Sequence, residues 1–106
     1  MIEIVLRRPA DTSAFVSVKG HSGYARKGSD IVCSAVSALV QTMTLGIKEQ
    51  FKARIDGHLE QGDTELSFSV DSKYINCFFK VYSIFRSGFE AIASSHPEHV
   101  RLVIEE

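Results

Sequence analysis

The chain has 106 residues, 44% of them hydrophobic, and its 12 basic and 13 acidic side chains leave a formal charge of -1. That length supports one hydrophobic core, so a single domain over residues 1–106 is expected. The balanced charge lacks the footprint of a protein built to grip a phosphate backbone, and no direct nucleic-acid partner is expected. The opening MIEIVLRRPA has none of the basic, apolar and small-residue succession of a secretory signal, and polar residues interrupt the apolar runs. Neither export nor a membrane span is predicted, which makes the cytoplasm the expected location and keeps Cys33 and Cys77 reduced.

Hydrophobic periodicity predicts a small α+β domain of order ββαββαβ, with two helices packed on a mostly antiparallel or mixed sheet. Ile2, Ile4 and Leu6 alternate, RPADTS supplies turn chemistry, and Val16 and Val18 resume the period of two up to Lys19, which reads as a hairpin. From Asp30 to about Phe51 the spacing lengthens: Val32, Val36, Leu39, Met43 and Ile47 line one helical face, with Ser29 or Asp30 placed to cap it. Residues 53–70 form a second hairpin turning at Gln61, Gly62 and Asp63. A second helix begins near Ser72 and carries Ile75, Phe78, Tyr82, Phe85, Phe89 and Ile92 until Ser94, Ser95 and Pro97 stop it. Val100, Leu102 and Ile104 close the chain as a strand.

The second helix holds more aromatic surface than one layer of sheet requires. With Phe79 and Val81 off its main stripe, a second buried face at a homodimer contact is the preferred expectation; the alternative is a broad stripe packed inside one protomer.

The run GHSGYARKGSDIVCSAVS places His21, Asp30 and Cys33 in a loop that enters the first helix. Cys33 falls in the first turn, where unpaired backbone N–H groups and the positive end of the helix dipole favour a negative charge, so the nucleophilic thiolate is stabilised there. A loop containing Gly20, Gly23 and Gly28 can fold back and set the His21 imidazole against that helix start. The N–H groups of Cys33 and Ser34 are candidate donors to a tetrahedral oxyanion, and Ser37, one turn on, stands over the same face in a supporting role. A carboxylate at Asp30 disfavours a thiolate nearby, so it needs a different role, either capping the helix or orienting His21 as the third member of a triad.

Each of these residues has a plainer role open to it. A lone cysteine on an apolar helix is more often a small packing residue than a nucleophile, and Cys77, with no histidine near it in sequence, fits packing better. His58, His96 and His99 read as solvated. No Cys or His pair has the short spacing of a structural zinc site, and GYARKGSD lacks the Gly-Lys-Ser/Thr order of a P-loop, so neither metal nor any other cofactor is expected. A thiol redox protein requires a resolving cysteine nearby, and there is no C-x-x-C.

The run GHSGYARKGSDIVCSAVSAL resembles the signature of the bacterial ribosomal-processing cysteine proteases: a Gly-His-x-Gly-Tyr element, a Gly-x-Asp-Ile-Val-Cys element and a following Ala-Val-Ser. The closing GFEAIASSHPEHVRLVIEE is similar to the family's C-terminal block, so the resemblance spans nearly the whole chain. It implies a homodimeric cysteine endopeptidase that trims a short N-terminal extension from the twenty-seventh large-subunit ribosomal protein. His21 would then activate Cys33, with Asp30 and Ser37 supporting them, and a mobile segment from Ser22 to Ser29 would close over the bound strand. The competing expectation is a ribosome-associated binding or assembly module that cleaves nothing, with Cys33 in the core.

Overall fold

The structure is a computed structural model that describes residues 1–26 and 30–105. Its elements follow the predicted order: β1 (Ile2–Ala10), β2 (Ser13–Lys19), α1 (Ile31–Phe51), β3 (Arg54–Glu60), β4 (Asp63–Ser69), α2 (Ile75–Ser95) and β5 (Val100–Glu105), with a short 3-10 turn at Ser72–Tyr74 leading into α2. The strands form one mixed sheet in the order β3-β4-β2-β1-β5, in which β1 and β5 run parallel and the other pairs antiparallel.

Register explains why one face of this sheet is a core. Ile4 lies opposite Val18 and Leu6 opposite Val16, while Val16 and Ala14 on the other side of β2 face Leu66 and Phe68. A period of two puts all of these on one face. The helices cover it: α1 lays Val32, Val36, Val40, Met43, Ile47 and Phe51 on the sheet, and α2 adds Phe78, Tyr82 and Phe89, all buried. Gly88 lets the helices approach each other, because a Cβ there would stand 3.1 Å from Leu39 Cδ1 of α1. By length and composition α1 passes for a membrane span, with a mean hydropathy of 1.5. Its apolar stripe is packed on the sheet, as in the core helix of a globular domain. The opposite sheet face is charged and paired: Arg7 with Glu105, Lys19 with Asp63, and Arg101 with Glu3 at 3.8 Å.

The first turn is shorter than RPADTS suggests. Strand β1 continues through Pro9 to Ala10, leaving Asp11 and Thr12 as the turn, and the β1–β2 register shifts between Arg7 and Ala10. Proline has no N–H for a ladder, and an irregularity of this kind is where a strand accommodates one. Cys77 also departs from expectation: it is exposed on α2 rather than packed. The aromatic stripe of α2 faces inward as predicted, but Phe79 and Ile84 remain 52% and 66% exposed.

Phe78 is fully buried in the core, and its ring meets Phe51 edge-on at 5.9 Å. Phe78→Ala is therefore expected to lower unfolding stability by about 3–5 kcal/mol in urea denaturation, with the m-value unchanged.

Candidate active site

The site forms where three segments meet: the loop after β2, the first turns of α1, and the tip of the β3–β4 hairpin. Asp30 organises the first two. It is the N-cap of α1, and its Oδ1 accepts from the N–H groups of Val32 and Cys33, each at 3.0 Å. Its Oδ2 accepts a short bond from the Ser22 hydroxyl and a longer one, 3.4 Å, from the Ala25 N–H. Of the two roles open to Asp30, the structure shows capping; its remaining bonds go to Ser22 and Ala25 rather than to His21. The donated bonds, the Ser22 hydroxyl foremost, hold the Asp30 carboxyl well below the usual carboxylate range despite its burial. The other proposed cap, Ser29, lies outside the described residues, as does Gly28 of the glycine loop, so the expected mobile segment is described only in part.

Ser22 is the hub of the loop, although nothing in its sequence context distinguishes it. It is only 2% exposed, its N–H donates to Cys33 Sγ at 3.4 Å, and its Oγ accepts from the Tyr24 N–H at 3.0 Å. Its carbonyl lies 2.9 Å from His99 Nδ1. A carbonyl only accepts, so that bond requires the proton on Nδ1. His99 and His96 both meet the Tyr24 ring edge-on, at 5.4 and 5.8 Å. Both histidines are half-buried struts under the loop, whereas the sequence suggested solvated side chains.

His21 reaches the site by way of the hairpin. The Gly20 N–H donates to the Gly62 carbonyl at 3.0 Å, and the imidazole lies over Gly62 so closely that a Cβ there would stand 2.9 Å from His21 Cε1. Gly62 also has a φ of +78°, and Gly20 one of +93°, a region other residues enter at a cost. His21, Cys33, Ser34, Ser37, Asp30 and Gln61 line a cleft of about 420 Å³. His21, Cys33, Ser37 and Gln61 also border a side recess of about 30 Å³. A second cavity of about 230 Å³ continues from Ser37 and Gln61 between Val36, Val40 and Leu59. Among the described residues no group of His, Cys, Asp and Glu is arranged to hold a metal.

The backbone N–H groups assigned to an oxyanion are not available in this arrangement. The Cys33 N–H is held by Asp30 Oδ1, and the Ser34 N–H makes the first helical bond to the Asp30 carbonyl at 3.1 Å. A side chain that caps a helix this fully removes the donors that a bare N-terminus would offer. Sequence reasoning also missed Gln61, which it placed only as a turn residue. That a hairpin tip leans over the start of α1 is a tertiary fact; the nearest sequence signal is Gly62 beside it.

The sequence profile of the family described as cysteine protease Prp matches residues 1–101. The chain belongs to that family. The ribosomal processing cysteine protease Prp of Mycoplasma genitalium is 32% identical over 89 residues, covering 81% of this chain and 83% of that protein. The fold is shared with the ribosomal processing protease Prp of S. aureus, solved with a covalently linked product peptide, at a TM-score of 0.78 and 18% identity over 99% of this chain and all of that one. A Streptococcus mutans structure gives 0.77 at 23% identity, covering 98% of this chain and 93% of its own. Two helices on a five-stranded mixed sheet are thus the family's fold, and the predicted fold class stands.

Asp30 makes stability depend on pH in a definite direction. Its folded carboxyl titrates below the unfolded one, so its contribution is present above about pH 4 and is lost as pH falls toward the folded value. Melting of the intact protein and of Asp30→Asn is expected to show a gap that is widest above about pH 5 and narrows below about pH 4. Asp63, held low by Lys19, is common to both proteins and cancels in the difference.

Proposed function

We propose that this protein is a cysteine endopeptidase that removes a short N-terminal extension from the twenty-seventh large-subunit ribosomal protein, in the cytoplasm, during ribosome maturation. The observation that supports it is the cleft that Cys33 and His21 both line, in a chain that belongs to the cysteine protease Prp family. The S. aureus relative, solved with a covalently linked product peptide, supports a peptide as the substrate class.

In this mechanism the Cys33 sulfur bonds to the scissile carbonyl carbon and the carbonyl electrons move onto oxygen. His21 takes up the thiol proton and then delivers it to the leaving amine as the C–N bond breaks. Water hydrolyses the resulting thioester and frees Cys33. The Cys33 sulfur accepts here from the Ser22 N–H rather than from the imidazole; in ligand-free sites such catalytic contacts are commonly loose and tighten when substrate fills the cleft. Asp30 acts through structure, by fixing the helix start and Ser22, and Ser37 supports the thiol from the next turn.

The same reading pairs two copies through the outer side of α2, where Phe79 and Ile84 are exposed and Val81 is half-buried. A homodimer should therefore sediment as such and be weakened by Ile84→Glu.

Intact mass after incubation with the extended ribosomal protein tests the activity. A single N-terminal loss is expected with the intact enzyme and none with Cys33→Ala, while His21→Ala should slow the cut by about 10²–10⁴-fold. Loss of the extension with Cys33→Ala would contradict the mechanism. No loss with either would favour the assembly module.

A further inference from the structure

We propose that Gln61 is a catalytic residue whose side-chain amide donates to the oxyanion of the tetrahedral intermediate; this rests on the endopeptidase reading above. Three observations lead to it.

The usual donors are engaged. Val32 and Cys33 N–H groups are held by Asp30 Oδ1, and the Ser34 N–H by the Asp30 carbonyl. To serve an oxyanion the helix start would have to give up its own cap. A side-chain donor on the wall of the same cleft needs no such rearrangement.

A hole of the right size is present. The recess bounded by His21, Cys33, Ser37 and Gln61 has about 30 Å³. Ile2, Val18 and Val36 share its wall, and it has room for a water-sized group, hence for an oxygen. Cys33 is one of its lining residues, and the carbonyl oxygen of a peptide must lie close to the sulfur once its carbon is bonded to Cys33.

Gln61 has the chemistry and the anchorage. Its carboxamide carries two N–H donors, and among the described residues its side chain makes no hydrogen bond. It borders the main cleft, the recess and the second cavity alike. The hairpin tip that carries it is tied to the histidine loop through the Gly20–Gly62 bond and the packing of His21 on Gly62. Nucleophile, base and donor are thus brought together by α1, the loop after β2 and the β3–β4 turn.

In the step itself the Cys33 S–C bond forms, the carbonyl π pair becomes an oxygen lone pair, and a Gln61 N–H bonds to that oxygen without transferring its proton. When the intermediate collapses the C–N bond breaks, His21 supplies the amine proton, and the Gln61 contact relaxes to the thioester carbonyl. Because the bond strengthens as charge develops, it acts on turnover more than on binding.

The test compares the intact enzyme with Cys33→Ala, Gln61→Ala, Gln61→Asn and Gln61→Glu on a peptide spanning the extension junction, reading kcat and KM. Site-resolved iodoacetamide labelling of Cys33 runs in parallel. Alkylation displaces iodide at a saturated carbon and develops no oxyanion on the carbonyl. Expected for Gln61→Ala is a fall in kcat of about 10- to 100-fold, below the loss from a fully enclosed donor because the recess is open to water, with KM and Cys33 labelling unchanged. Gln61→Glu, which has no donor when ionised, should fall at least as far, and Gln61→Asn should recover part of the rate. Unchanged kcat in Gln61→Ala, with activity still abolished by Cys33→Ala, would overturn this assignment alone. A rise in KM at constant kcat would also overturn it, assigning Gln61 to substrate binding. No cleavage by the intact enzyme would overturn the endopeptidase reading and this one with it.

Discussion

The carboxylate of Asp30 is the interaction on which the site depends. One oxygen ends the backbone of α1 by accepting from Val32 and Cys33; the other holds the Ser22 hydroxyl and the Ala25 N–H. A buried carboxylate is stable only when its lone pairs are used, and here four donors from two segments use them. The same four bonds decide where Cys33 sits, because they fix both the turn that carries it and the loop whose N–H meets its sulfur. An acid whose charge opposes a neighbouring thiolate therefore serves it by removing freedom from the surroundings.

The third wall of the cleft is attached differently. The β3–β4 tip meets the loop at glycines: the Gly20–Gly62 backbone bond and the imidazole lying on a residue without a Cβ. Two glycines at positive φ pack the chain closely enough for His21, Cys33 and Gln61 to share one recess. Beneath the loop, Tyr24 rests on His96 and His99, and His99 grips the Ser22 carbonyl. The chain end, through the segment before β5, thus supports residues near its beginning, consistent with the parallel β1–β5 pairing that places them side by side.

Most of the fold was legible because its period is strict. Valine and methionine steps of three and four defined α1 to within a residue, and the alternation of Leu66 and Phe68 defined β4. Period does not tell parallel from antiparallel, so the neighbour of β5 had to come from the structure, and Pro9 marked a turn two residues earlier than the chain makes it. In the site, His21, Asp30, Cys33 and Ser37 were legible from the helix start and the glycine-rich approach, and all four line the cleft. What failed was the assumption that helix N–H groups stay free beside a good cap. The placements of Ser22, His99 and Gln61 at the site were not legible for one reason: they depend on how segments distant in sequence meet, to which spacing is blind. Cys77 was misjudged because a helix interior in sequence need not be the inner face in space.

The two cysteines offer a direct test of whether Cys33 is a nucleophile made by its surroundings. Cys77 is exposed and Cys33 only partly so, and exposure alone therefore predicts that Cys77 reacts first. Site-resolved iodoacetamide labelling near neutral pH is expected to show the reverse, with Cys33 modified faster and losing its lead in both His21→Ala and Asp30→Ala. Faster modification of Cys77 in the intact protein, or a Cys33 rate indifferent to both substitutions, would return Cys33 to the core and contradict the account.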